Sequence, residues 1–310
     1  MTDTRQFAVF SCDLDTVDRH LQGYGIDDLP ACDRIYRTAV PRLLELLDEL
    51  RVPGVFFFIA RDAEREAPLL RQMIAAGHEV GSHSMTHPQP FRTLADAALT
   101  DEIDGSRARL AAASGSEVIG FRAPAWDVDD RVLGRIAAAG YRYDASVFPT
   151  PVLIASRLSA YRRSVNKGSL RGRAIFSMDL IGHAFAPAVP HQASAATNAT
   201  GARGLVEFPI SVTRWLRLPV YHTFQYFVPP RLFARGVRAL LRSGRPVCYE
   251  FHAADLLDLA ADDVDPRMER HPGMRLPLER KRALLKDTLA AIARERRVVT
   301  YRHALEECLQ

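Results

Sequence analysis

The chain has 310 residues, 47% of them hydrophobic and 25% charged. That balance excludes a disordered or fibrous protein, and the length suits one principal domain of the α/β type spanning 1–310. The net charge of +4 is spread along the chain with no long block of like charges, which argues against a nucleic-acid partner.

The first residues pass directly into an apolar run without the basic and long apolar segments of a secretory signal, and no stretch is apolar enough to span a bilayer. Cys12, Cys32, Cys248 and Cys308 form no Cys-x-x-Cys pair, so reduced thiols are expected. A cytoplasmic protein, with room for peripheral contact at the inner membrane, is the expectation.

In chain order, Phe7 to Cys12 reads as a buried strand that delivers Asp13 and Asp15 at its end. Val40, Leu43, Leu44, Leu47 and Leu50 recur at helical spacing and predict a helix from about Thr38 to Arg51, with Pro41 in its first turn. Pro53-Gly54 punctuates the chain before Val55 to Ile59, a continuous apolar run of the kind found in parallel strands. The alternation continues: helix Pro68 to Ala76, strand His78 to Gly81, helix Leu94 to Ala113, strand Val118 to Phe121, helix Asp130 to Ala139 and strand Tyr141 to Asp144.

The stretch at about 150–204 reads as an insertion, with small residues from Gln192 to Gly201 typical of a surface loop. Strands return at Leu205 to Ile210 and Val247 to Phe251, then a helix at Leu278 to Arg294, a strand at Val298 to Tyr301 and a last short helix. Seven strands alternating with helices point to a parallel sheet or barrel.

In such folds the residues just past the strand ends gather on one face, and there the ionisable residues fall: Asp13 and Asp15, His83 and His87, Arg122, Asp144 and His252. His83 and His87, four apart, can reach one ion together. With a carboxylate they make a donor set suited to zinc or a similar divalent ion, with positions left for water and substrate. Asp13 and Asp15, two apart on an extended strand, share a face and invite different roles, one neutralised by a metal and the other accepting a proton.

The ordered set Asp13-x-Asp15, His83-x-x-x-His87, Arg122-x-Pro124, Asp144 and Phe251-His252 resembles the polysaccharide deacetylase family, carbohydrate esterase family four with NodB homology. The resemblance implies a distorted (β/α)7 barrel that hydrolyses a non-peptide C–N bond. It also implies that Asp13 is the general base, that Asp15, His83 and His87 bind one divalent metal, and that Arg122 orients Asp13. His252 would be the general acid, Pro124 and Trp126 would line the substrate groove, and Asp144 would lie near His252 and set its protonation. Zinc is the first candidate, with cobalt, nickel and manganese as alternatives.

Two departures narrow the comparison. Leu14 separates aspartates that usually adjoin, as in the subset that includes cytoplasmic deacetylases and deformylases of aminoarabinose lipids. The Asp and Trp that commonly accompany the fourth motif are missing around Tyr143 to Ser146. A backbone N–H in the Ala123 to Trp126 loop is the expected oxyanion donor.

The segment from Val206 to Val228 is rich in aromatic and aliphatic residues, either as a cover for the core or as an apolar wall for a lipid-linked sugar, with Arg214 and Arg217 suited to a lipid phosphate and His222 near the substrate. Removal of an acetyl or formyl group from an N-acylated amino sugar, small or lipid-linked, is therefore the leading expectation. The alternatives are an amidohydrolase of cyclic imides or ureides and a non-catalytic carbohydrate-binding module. The sequence carries no signal for oligomeric state.

Overall fold

A computed structural model of the chain describes residues 6–154, 179–193 and 204–309. Most of the insertion expected at about 150–204 lies outside the described residues. Among the described residues nine strands form one sheet: β1 (Phe7–Asp13), β2 (Val55–Phe58), β3 (Glu79–Ser82), β4 (Gly120–Phe121), β5 (Tyr143–Asp144), β6 (His191–Gln192), β7 (Val206–Glu207), β8 (Val247–His252) and β9 (Arg297–Val298). Their order is β6-β7-β5-β4-β3-β2-β1-β8, and β9 pairs with the start of β1.

Strands β1 to β5, β7 and β8 are joined only by parallel pairings, which gives the seven-stranded curled sheet that the alternation of elements predicts. Antiparallel β6 is an addition to the edge. Between β7 and β8 the ladder is replaced by two bonds of Ser211, whose N–H donates to the Cys248 carbonyl at 3.1 Å and whose Oγ accepts from the Cys248 N–H at 2.9 Å.

Alternation along β1 sorts the core into two layers. Ala8, Phe10 and Cys12 face the helices, where Leu43, Leu46 and Leu47 of helix Val40–Leu50 pack. Phe7 and Val9 face inward with Val55, Phe57, Tyr143, Phe208 and Tyr301. Continuing on that inner face, Ser11 and Asp13 of β1 and Glu250 and His252 of β8 turn the upper interior polar.

Boundaries moved where loops take over early. The strand expected at 118–121 keeps only Gly120 and Phe121, although the Arg122 N–H still donates to the Ser82 carbonyl of β3 at 2.9 Å. Tyr301, expected to end a strand, instead opens helix Tyr301–Cys308 beneath the barrel. The helix expected at Leu94–Ala113 is a succession of Asp96–Thr100, a wide π-type turn Asp101–Gly105 and Ser106–Ser114. Among the described residues no helix is long and apolar enough to cross a membrane.

Candidate active site

Asp15 follows the end of β1, and His83 follows β3. Asp15 Oδ1 lies 3.1 Å from His83 Nε2 and 3.2 Å from His87 Nε2, and the two rings are 4.7 Å apart. His83 Nδ1 sits 2.7 Å from the Arg122 carbonyl, to which it donates, and this bond turns Nε2 toward Asp15.

The loop between the histidines is not a helical turn. Ser84 and His87 are left-handed, at φ 65° and 59°, a conformation that costs roughly 1–3 kcal/mol per residue. Glu102 holds it there. Its carboxylate accepts from the Thr86 N–H at 2.8 Å and from the Thr86 hydroxyl at 2.5 Å, and its carbonyl accepts from the Met85 N–H at 3.0 Å.

Donor atoms in this corner converge and are otherwise unused. Asp15 Oδ1 and both ring nitrogens of His87 are buried without a hydrogen bond, and one donor atom from each of Asp15, His83 and His87 fits within a 4.8 Å cluster. Buried polar atoms without partners are costly, so a cation is the natural occupant. Burial would raise the Asp15 carboxyl, but the two imidazoles overcome it and hold it well below the usual range.

Asp13 presents its two oxygens differently. Oδ1 accepts from Arg122 Nη1 at 2.6 Å, whereas Oδ2 faces His83 Nε2 at 3.8 Å. Arg122 is wholly buried and stacks 4.2 Å from the Phe57 ring; it also donates to the Ala145 carbonyl at 2.8 Å and the Ser11 hydroxyl at 2.9 Å. Burial alone would weaken its charge, but Asp13 keeps it firmly cationic.

His252 enters from the end of β8. Its Nε2 is 3.8 Å from Asp15 Oδ2, and its Nδ1 is 3.0 Å from Glu250 Oε1. Burial would keep this imidazole neutral, yet Glu250, Asp15 and Asp13 reverse that and push its pKa up to about 9.

Above these groups opens a cavity of about 520 Å³, lined by Asp13, Asp15, His83 and His252 and walled by Tyr24, Trp126, Tyr221 and Phe227. His20 and His271 also line it, 4.9 Å ring to ring, and neither nitrogen of His20 has a hydrogen-bond partner.

The family model described as polysaccharide deacetylase matches residues 25–143, a span that includes His83, His87 and Arg122 but stops short of Asp13, Asp15 and His252. A peptidoglycan deacetylase from Helicobacter pylori is 28% identical over 44% of this chain and 48% of its own length. A chitooligosaccharide deacetylase from Sinorhizobium fredii is 37% identical over 32% of this chain and 46% of its own. The chain thus spans about half the length of the curated relatives it matches. The crystal structure of a candidate polysaccharide deacetylase from Mycobacterium smegmatis superposes over 99% of this chain and 91% of that one, with a TM-score of 0.61 at 20% identity. The chain has the polysaccharide deacetylase fold.

Four expectations about the site need correction. Asp144 is not the partner of His252: it accepts from the N–H and hydroxyl of Ser146 and stands opposite Glu207, because its strand end faces β7, and the carboxylate beside His252 is Glu250. Burial raises the pKa of Asp144, and burial with Asp144 alongside raises that of Glu207 well above its ordinary value.

His222 is fully buried behind the cavity wall, with Nδ1 on Gln225 and Tyr249 and Nε2 2.9 Å from the Tyr226 hydroxyl, so it has nothing left for a substrate. Arg214 lies at the tip of a surface hairpin, its guanidinium 4.9 Å over the Trp215 ring, and does not line the cavity. Pro124 is buried, whereas its neighbours Ala125 and Trp126 reach the cavity. In the same loop the N–H groups of Ala123, Trp126 and Asp127 donate to Ser146 Oγ, Ala123 O and Pro124 O.

Glu102, Glu250, His20 and His271 were not singled out from the sequence. Glu250 had a signal, since a residue two before His252 on a strand shares its face. The others did not.

Proposed function

We propose that this chain is a metal-dependent hydrolase that removes a formyl or acetyl group from an N-acylated amino sugar. The observation that carries the reading is the convergence, in one cavity, of a buried Asp15–His83–His87 corner with unused donor atoms, a carboxylate clamped by arginine, and an imidazole held cationic by Glu250. A non-catalytic module would have no use for all three together. Two imidazoles and one carboxylate suit zinc first, with cobalt, nickel or manganese as alternatives. When bound there, the cation would polarise the amide carbonyl and acidify the attacking water.

The remaining chemistry belongs to the side chains. Asp13, with Oδ1 anchored on Arg122, keeps Oδ2 for the proton of the attacking water. His252, with Nδ1 tied to Glu250, directs Nε2 into the cavity and gives its proton to the departing nitrogen, which would otherwise be too basic to leave. Water adds across the amide, and the products are a short carboxylate and a free amino sugar. Trp126 and Tyr221 offer flat apolar faces to a sugar ring, and the unpartnered nitrogens of His20 suit its hydroxyls. Burial lowers the pKa of His20 to about 4, so that ring is neutral and can both donate and accept.

Leu14 between the aspartates and the apolar cavity mouth support a lipid-linked or other small sugar over an extracellular polymer, and the four free thiols suit a cytoplasmic setting at the inner membrane. The aromatic wall would also hold a flat cyclic imide or ureide, which is the second reading. Metal analysis of the purified protein, with amine release measured on formylated and acetylated amino sugars and on cyclic amides, tests both. Turnover confined to cyclic amides would replace the sugar reading with the second one. Metal-free protein with full activity would end both.

A further inference from the structure

Eight large hydrophobic side chains are exposed among the described residues. Tyr24 and Phe227 line the cavity itself, Phe227 being 64% exposed. Val152 adjoins Leu153, another lining residue, and Leu232 opens helix Pro230–Arg242, which starts three residues after Phe227. Trp215 and Leu216, 83% and 74% exposed, form the tip of a hairpin closed by the Val212–Pro219 bridge. That hairpin is tied to the cavity's side of the barrel: the Thr150 hydroxyl donates to the Arg217 carbonyl at 2.7 Å, and Arg217 Nη1 donates to the Ala186 carbonyl at 2.8 Å, beside exposed Phe185.

Charge accompanies this apolar collar. Helix Pro230–Arg242 exposes Arg231, Arg235, Arg238 and Arg242, which at spacings of four, three and four residues form one stripe. Among the described residues no acidic side chain pairs with them. The hairpin packs on the flank of this helix, with Thr213 Cγ2 3.8 Å from where a side chain on Gly236 would begin. Arg214 adds a further cation over Trp215.

Exposed tryptophan and leucine beside unpaired arginines match a bilayer interface, where the ring sits at headgroup depth and each basic side chain meets anionic phosphates. We infer that the Trp215–Leu216 hairpin and the arginine stripe of helix Pro230–Arg242 dock this protein on an anionic lipid surface, with the mouth of the cavity turned toward the bilayer. Docking itself does not depend on the proposed reaction; its consequence, that the substrate arrives from the membrane, rests on that reading.

The test is co-sedimentation of the full chain with phosphatidylcholine vesicles, with and without phosphatidylglycerol, read together with tryptophan emission. The expected result is pelleting with the anionic vesicles alone and a blue shift that disappears in Trp215→Phe. Trp215→Ser with Leu216→Ser should abolish the binding, and Arg→Gln changes at 231, 235, 238 and 242 should each weaken it by about fivefold, the worth of one basic group near an anionic leaflet. All of these variants should keep wild-type circular dichroism, metal content and hydrolysis of a soluble substrate, which separates failed docking from failed chemistry. Equal pelleting with neutral vesicles, vesicle binding unchanged in the variants, or binding to soluble polyphosphate without binding to vesicles would overturn the inference.

Discussion

His87 and His222 are both fully buried histidines, and they lie in regions built on opposite rules. Around His222 every ring nitrogen is matched by Gln225, Tyr226 or Tyr249 from within the protein. Around His87 neither nitrogen has a hydrogen bond, and the nearest partner, Asp15 Oδ1, is equally unmet. Since buried polar groups are normally satisfied internally, the first region is finished as folded and the second is built for something that comes from solution. Histidine type and burial do not distinguish them; partner accounting does.

The sharpest way to break this contrast is to delete each histidine system in turn. Asp15→Ala or His83→Ala should lose bound metal, measured by elemental analysis, and hydrolysis should fall to background, while His222→Phe should retain both. Next in size, Asp13→Asn should keep the metal and lower turnover by about 10²–10⁴-fold, the usual contribution of a positioned base. Undiminished activity there would require a different base. His252→Ala should lose a similar factor, and Glu250→Gln about tenfold, with the loss in kcat and little change in KM, because that change leaves the imidazole in place without the carboxyl group beside its Nδ1.

Smaller still is the cost on the finished side. His222→Phe should destabilise the fold by about 1–3 kcal/mol in denaturant titration, through the polar partners it strands, with kcat within roughly twofold of wild type. A large loss of kcat would mean that the His222 network reaches the chemistry. The pH dependence of stability has a definite sign. Burial holds the pKa of His222 at about 4 and that of His271 well below its ordinary value. Both are therefore depressed from the unfolded value near 6.5, and the unfolded chain binds more protons between those limits. Their stabilising effect is fully present above about pH 6.5 and is lost as pH falls toward 4, which a series of melting curves would record.

Much of this was legible in the sequence because the signals are local. Val55 to Phe58 reads as a covered parallel strand from apolar continuity alone, and Asp13, Asp15, His83 and His87 stand at strand ends, where parallel folds collect their chemistry. What was missed depends on pairing across the fold. Asp144 faces Glu207 and not His252 because β5 lies against β7, a neighbour relation that the chain order conceals. His222 sits in an aromatic-rich stretch that suggests a ligand, yet it points inward to residues brought to it by β8 and its own turn. Glu102 supports the His83–His87 loop from a separate helical segment, and no spacing rule connects the two.

Arg122 joins places that are far apart in the chain. Its guanidinium binds Ser11 and Asp13 on the first strand and lies 3.5 Å from the Tyr301 hydroxyl, on the helix that plugs the barrel from below. Tyr301 packs in turn on Phe57, Tyr143 and Phe208. The Asp13 carboxylate is thus braced, through Arg122, from a helix that lies beneath the barrel and far from it in the chain. The orientation of that carboxylate should consequently depend on the seating of a helix that never touches it.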